Sequence, residues 1–191
     1  LKFKDITVEA GIGGDKAWST GVSMADINGD GWLDIYVCNS GDIHGDNKEN
    51  ELFINNGPAG IKNGAPSFTE KAKTYHLNNQ GYSTHASFFD YDRDGDLDCY
   101  ILNNSFKNPD RIELYSSMRL QPDLLGGDKL MRNDIETTGS FTDVTTAAGI
   151  YSSAIGFGLG IATGDLNEDG WPDLYISNDF FEKDYLYINN Q

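Results

Sequence analysis

The chain has 191 residues, 38% hydrophobic and 12% aromatic, with 30 acidic and 14 basic side chains and a formal charge of −16. That length suits one or two packed domains, and an ordinary supply of Val, Ile, Leu and Phe beside 22 glycines and 5 prolines excludes disorder and collagen. Nucleic acid and anionic membrane surfaces are poor partners for so acidic a chain, and no apolar run approaches the roughly 18 residues of a membrane helix.

In chain order, residues 3–8 read as a strand. Residues 21–27, 34–39, 50–55 and 68–73 follow as four short strands bounded by Gly, Asn and Asp. Residues 85–91, 98–103, 129–133 and 141–146 repeat the set, and 158–166, 173–178 and 185–189 begin it again. Between the first two strands of each set lies one nine-residue window: DINGDGWLD at 26–34, DYDRDGDLD at 90–98 and DLNEDGWPD at 165–173, starting 64 and then 75 residues apart.

The flanks are phased to these windows. FKDITVEAGI, FTEKAKTYHL and FTDVTTAAGI start 23, 22 and 24 residues upstream, whereas NELFINN, DKLMRND and DYLYINN start 24, 38 and 19 residues downstream of the window start. Variable length is thus confined to the connection after the second strand, at 40–49 and 105–127. An Asn lies five residues after each window (Asn39, Asn103, Asn178), and an aromatic eight residues before it (Trp18, Tyr82, Phe157). Tyr36, Tyr100 and Tyr175 recur two residues after the last Asp, and such phase-locked aromatics read as packing between neighbouring units. The fold class is therefore all-β, with four antiparallel strands per unit as in the blades of a β-propeller.

The windows hold 3, 5 and 4 acidic residues against a single Arg93, and so carry −11 of the −16. Charge so concentrated repels itself unless a cation sits in it. The pattern D-x-[DN]-x-D-G-x-x-D alternates oxygen donors along a curling loop, which suits calcium with its six to eight oxygen ligands. In the first loop the ligands are Asp26, Asn28, Asp30 and Asp34 with the Trp32 carbonyl. In the second they are Asp90, Asp92, Asp94 and Asp98 with the Asp96 carbonyl. In the third they are Asp165, Asn167, Asp169 and Asp173 with the Trp171 carbonyl, giving about three Ca2+ in all. Gly31, Gly95 and Gly170 hold the sixth position, where a sharp turn wants a positive φ. Three copies in register argue against plain Asp/Asn/Gly hairpin turns. Magnesium prefers fewer protein oxygens, and zinc would need more His or Cys. Position 12, a bidentate Glu in an EF-hand, is here Val37, Ile101 or Ile176, so an opening switch of the EF-hand kind is not expected.

The repeat resembles the FG-GAP/VCBS family, the calcium-loop blades of integrin α-like propellers and of many exported bacterial proteins. The third unit, AIGFGLGIATGDLNEDGWPDLYISN, is the best match; units one and two have Trp18-Ser19 and Tyr82-Ser83 in place of Phe-Gly. The resemblance implies a propeller, commonly seven-bladed, with metal held between the first two strands of a blade. A ring of only four blades would need about 256 residues at the shorter spacing, so the chain is expected to be a partial propeller of about three blades. One segment spans 1–191, with units near 13–73, 74–146 and 147–191 and with 1–12 as the outer strand of a preceding blade. Other blades, domains or adjoining subunits would then cover its open ends.

No nucleophile elbow, phosphate loop or dinucleotide fingerprint is present, the histidines His44, His76 and His85 fall in different elements, and the carboxylate pairs are absorbed by the loops. An enzyme is therefore not expected. Cys38 and Cys99 sit on opposite faces of equivalent strands, which disfavours a disulfide and makes buried thiols the default. Weak calcium sites, about 10⁻⁴ to 10⁻³ M, are typical of extracellular modules, so export to the cell surface, medium or periplasm is expected. Asn103-Asn104-Ser105 is a glycosylation sequon. The function expected is a calcium-stiffened module for adhesion or binding of a protein or glycan. The alternatives are part of a calcium-dependent polysaccharide lyase or hydrolase, or a structural piece of a surface assembly. The excursion at 105–127, with Lys107, Arg111, Tyr115 and Arg119, is the expected contact surface, at the blade end opposite the metal loops.

Overall fold

The computed structural model describes residues 2–14, 18–40, 49–105, 116–180 and 182–191. Their strands form three antiparallel sheets in up-and-down order. Blade 1 contains β1 (Ser19–Ala25), β2 (Asp34–Asn39), β3 (Glu51–Asn55) and β4 (Phe68–Glu70). Blade 2 contains β5 (Ser83–Phe89), β6 (Asp98–Asn103), β7 (Lys129–Asp134) and β8 (Ser140–Asp143). Blade 3 contains β9 (Gly158–Gly164), β10 (Asp173–Asn178) and β11 (Tyr185–Tyr187).

The second strand of each blade occupies the expected residues. The first strand stops two residues sooner than expected because the ladder closes where Ala25 meets Asp34, Phe89 meets Asp98 and Gly164 meets Asp173. Beyond that pair the backbone belongs to the acidic loop.

The outer strands are cut short by a turn that occurs three times. Its hydrogen bonds are Ala10 N–H to Ile6 C=O and Ile12 to Thr7, then Tyr75 to Lys71 and Leu77 to Ala72, then Ala148 to Val144 and Ile150 to Thr145. A carboxylate opens each turn by accepting the N–H two residues on, Asp5 from Thr7, Glu70 from Ala72 and Asp143 from Thr145. A left-handed residue closes it, at Gly11, His76 and Gly149. The strand expected at 3–8 does not form. β4 and β8 are strands because β3 and β7 lie beside them, whereas no described strand pairs with Phe3; the turn there includes the short helix α1 (Thr7–Ala10), and Phe3 and Val8 are exposed.

The connections between second and third strands vary in length but end in one polar clamp. The Asn39 side-chain amide donates to Glu49 C=O while its N–H donates to Asn50 Oδ1. Asn103 does the same with Gly127 C=O and Asp128, and Asn178 with Lys183 C=O and Asp184. The recurring tyrosine completes the clamp: Tyr36 Oη accepts from Asn50, and the Tyr100 and Tyr175 hydroxyls donate to Asp128 and Asp184. Chain can thus be inserted before the clamp without disturbing the third strand.

Cores lie between blades. Tyr36, Cys38, Leu52 and Ile54 of blade 1 meet Ala86, Cys99, Ile101 and Met131 of blade 2. On its other face blade 2 presents Tyr100, Leu102 and Leu130 to Leu174, Ile176 and Tyr185 of blade 3. Tyr36 and Tyr100 are fully buried, and the Tyr36 ring meets Phe88 edge-on at 5.6 Å. The expected packing role fails for Tyr175, 41% exposed, and Trp18, 55% exposed, because no described sheet lies against their faces. Blade 3 can approach blade 2 closely because Gly158 lacks a side chain: a Cβ there would lie 2.2 Å from Leu102 Cδ1. A cleft of about 450 Å³ remains between these two blades near Val144, Ala148 and Tyr187. In the corresponding turn of blade 1, Tyr75 stands where blade 2 has Ala148, and its ring packs against the first core.

Candidate metal centre

Each acidic window is the turn joining the first and second strands of its blade, and its backbone geometry recurs. Residue six has a positive φ as expected, 88° at Gly31, 102° at Gly95 and 87° at Gly170. Residue four is also left-handed, at Gly29, Arg93 and Glu168, which the sequence did not signal because only one of the three is glycine.

The ninth residue is a structural anchor. Asp34, Asp98 and Asp173 are buried, and one carboxylate oxygen of each accepts the N–H of the loop's second residue, Ile27, Tyr91 or Leu166, at 2.9–3.0 Å. The other oxygen accepts from an asparagine after or at the end of the third strand, Asn55, Asn133 or Asn189, at 2.8–2.9 Å. These asparagines also tie blades together: the Asn133 amide donates to Ile27 C=O of the preceding blade, and the Asn189 amide to Tyr91 C=O. Sequence reasoning missed them, although all three lie in the downstream segments that recur as INN, RND and INN.

The first and third loops share a closed hydrogen-bond pattern. Asp26 accepts from the N–H groups of Asp30 and Gly31, and Asp165 from those of Asp169 and Gly170. Asn28 and Asn167 donate their amides to Asp30 and Asp169, whose other oxygens accept the N–H of Trp32 and Trp171. The oxygens expected to bind metal there are thus met by the loop's own donors.

The second loop differs because its third residue is Asp92, whose side chain has no amide N–H to donate as Asn28 and Asn167 do. Asp90 Oδ1, Asp92 Oδ1 and Asp96 Oδ1 are buried without a hydrogen-bond partner. Asp90, Asp92 and Asp98 each bring an oxygen within 4.8 Å of the others, the only such grouping of three His, Cys, Asp or Glu side chains among the described residues. Asp94 Oδ1 accepts the Asp96 N–H. Of the second-loop residues expected to bind, Asp90, Asp92 and Asp98 are therefore brought together, and the Asp96 side chain joins the unpartnered set. The electrostatics are those of a site short of positive charge. Burial, and then Asp92 and Asp96, push Asp98 up to about 7 against the lowering effect of the Asn133 and Tyr91 N–H groups. Burial followed by Asp94, Asp92 and Asp90 pushes Asp96 up to about 6, and burial followed by Asp94 raises Asp92. A divalent cation fits this donor set, because an all-oxygen shell with unpartnered carboxylates suits a hard ion. The neighbouring loops touch here: the Arg93 guanidinium lies 5.2 Å from the centre of the Trp171 ring.

The remaining candidate residues are dispersed. His85 is half-buried in β5 opposite Leu102, His76 is exposed in its turn, and His44, Lys107, Arg111 and Tyr115 lie outside the described residues. Arg119, expected as a contact residue, instead donates to the buried Glu182 carboxylate of the β10–β11 connection at 2.7 Å. Residues 121–123 pair with 152–154, so this part of the excursion joins blade 2 to blade 3. Asn103 of the sequon is buried in its clamp, which closes it to a glycosyltransferase in the folded chain. Cys38 and Cys99 are free and buried as expected, but they share one core, since the opposite faces of two adjacent blades turn toward each other.

β9, the third loop, β10 and β11 lie within the span matched by a known family model. Residues 157–188 match the FG-GAP repeat. The first two blades reproduce the strand order of this FG-GAP unit, and the three sheets together form propeller-like blades. No curated protein sequence matches the chain.

Proposed function

We propose that the chain is a calcium-stiffened propeller module of an exported or cell-surface protein, which binds a protein or glycan at the blade end opposite the acidic loops. The observation that carries the metal reading is the second loop, where buried Asp90 Oδ1 and Asp92 Oδ1 lack any partner beside Asp98. Asp90, Asp92, Asp94 and Asp98 with the Asp96 carbonyl would hold the ion there. Asp26, Asn28, Asp30, Asp34 and Trp32, and Asp165, Asn167, Asp169, Asp173 and Trp171, would hold weaker counterparts after releasing internal hydrogen bonds. Calcium supplies positive charge and an oxygen-seeking shell that offset the repulsion among these carboxylates.

Export is supported by the FG-GAP match, a repeat typical of exported and surface proteins. Among the described residues no helix is long and apolar enough to cross a membrane. A ligand at the opposite end is supported by a cleft of about 390 Å³ between the β4–β5 connection and blade 2, lined by Asn78, Gln80, Lys129, Leu124 and Leu125. Amide, ammonium and apolar groups side by side suit a glycan or a polar peptide.

Thermal unfolding in millimolar calcium and in excess chelator tests the metal reading. Free calcium at 100 times the dissociation constant adds about 2.7 kcal/mol per site. Asp92→Asn is expected to stay folded and to lose most of the calcium-dependent rise. An unfolding temperature that is the same in calcium and chelator for the unaltered chain refutes the proposal.

A further inference from the structure

Asparagine precedes glycine three times, at Asn28-Gly29, Asn56-Gly57 and Asn63-Gly64. Such pairs share one chemistry: with no side chain on the second residue, its backbone nitrogen can reach the Cγ of the asparagine. The structure separates the three. Asn56 is tied to other segments, its amide donating to Ser67 Oγ and its Oδ1 accepting from Thr69 Oγ1, while the Gly57 N–H donates to Asn55 Oδ1. Asn63 and Gly64, at φ 52° and 79°, form the exposed corner of a turn closed by Lys62 and Ala65.

Asn28 is held only by its near neighbour Asp30, which is exposed. Its amide donates to Asp30 Oδ2 at 3.0 Å, and its Oδ1 accepts the Asp30 N–H at 3.1 Å. Gly29 is exposed, and beyond its chain neighbours no atom lies within 4 Å of where a Cβ would stand. Among the described residues no hydrogen bond occupies the Gly29 N–H. Asn167, the counterpart of Asn28 in the third loop, makes the same bonds but precedes Glu168, whose side chain stands where Gly29 has none.

From this geometry we infer that Asn28 is a deamidation site, and that its conversion to aspartate turns the first loop from the self-satisfied kind into the open kind seen in the second. The Gly29 nitrogen bonds to Asn28 Cγ as the Cγ–Nδ2 bond breaks, and its proton leaves with the side-chain nitrogen as ammonia. Water then opens the resulting succinimide. Cleavage of the bond between Cγ and nitrogen places hydroxyl on Cγ, returns a proton to the nitrogen and yields aspartate. Cleavage at the other carbonyl yields isoaspartate, which lengthens the backbone by a CH2 group and spoils the spacing of the loop's oxygens.

An aspartate at position 28 has no amide to donate to Asp30, and it sets carboxylate against carboxylate as Asp90, Asp92 and Asp94 do. In the second loop that composition leaves Asp90 Oδ1 and Asp92 Oδ1 buried without a partner. The added negative charge strengthens the attraction of the first loop for a divalent cation. This consequence rests on the metal reading proposed above, whereas the site of conversion does not.

Incubation of the full chain in chelator at mildly alkaline pH, followed by digestion and mass spectrometry over time, reads the conversion. The peptides containing Asn28 and Asn63 are expected to gain the small mass of exchanging –NH2 for –OH, while Asn56 and Asn167 persist. The inference is overturned if Asn28 persists through the time in which Asn63 converts, or if Asn167 keeps pace with Asn28. Calorimetric titration with calcium reads the consequence: Asn28→Asp is expected to bind two ions per chain at the affinity of the second loop, where the parent binds one. A variant that binds calcium as the parent does overturns the consequence. A parent that takes up no calcium in the second loop refutes the metal reading instead, and the peptide masses still decide the conversion of Asn28.

Discussion

Asp128 illustrates how the clamp residues set the stability of the blades. Its carboxylate is buried, with one oxygen accepting the Asn103 N–H at 2.9 Å and the other the Tyr100 hydroxyl at 2.8 Å. Burial outweighs these two bonds and pushes the group from 3.8 up to about 7. In the unfolded chain it titrates near its ordinary value, roughly 3.9, so the folded state holds the proton over the window between. Folding is therefore unpenalised below about pH 4, loses stability as the pH rises, and carries the full cost above about pH 7. At about 1.4 kcal/mol per unit, that cost is about 4 kcal/mol. Blade 1 contains the remedy, since Asn50 at the equivalent position accepts from Asn39 N–H and donates its amide to Tyr36 Oη. Asp128→Asn is expected to reproduce that pattern, with Tyr100 turning its hydroxyl to accept. Urea unfolding of both proteins at several pH values in saturating calcium measures the difference. The variant should match the parent near pH 4 and exceed it by a few kcal/mol near pH 8. Equal destabilisation at both ends of the range, or a difference that does not change with pH, would refute the argument.

Gly158→Ala places a Cβ 2.2 Å from the buried Leu102 side chain, so blade 3 must shift or Leu102 must leave its rotamer. A loss of about 1–3 kcal/mol is expected by chemical denaturation, and an unchanged midpoint would show that the contact yields freely. Cys38 and Cys99 are fully buried, with burial pushing the Cys38 thiol up to about 12 and the Cys99 thiol well above its ordinary value. Neither should react with an aromatic disulfide reagent at pH 8 until the chain unfolds, and rapid labelling of the native protein would contradict the packing of the first core.

Much of the fold was legible because its signals were local and repeated. β2, β6 and β10 are bounded by a buried Asp at one end and a clamping Asn at the other, and both residue types stand out in the sequence. The lengths of β4 and β8 were not legible, since the capped turn that ends them depends on a carboxylate reaching the amide two residues on. The strand expected near Phe3 carried the same sequence signal as its equivalents but has no strand beside it among the described residues, and pairing decides a strand. The acidic loops looked alike in sequence apart from Asn28, Asp92 and Asn167 at the third position. That one difference separates two loops that satisfy their own oxygens from one that does not. The shared core of the two cysteines required knowing that adjacent blades face each other.

Anomalous scattering tests directly whether the second loop holds the proposed cation, without reference to stability or activity. Crystals grown in millimolar calcium, measured at a wavelength where calcium scatters anomalously, are expected to show a peak bounded by the Asp90, Asp92 and Asp98 carboxylates. Peaks in the first and third loops, if present, should be weaker. A difference map without a peak in the second loop, with Asp90 Oδ1 and Asp92 Oδ1 meeting only water, would contradict the claim.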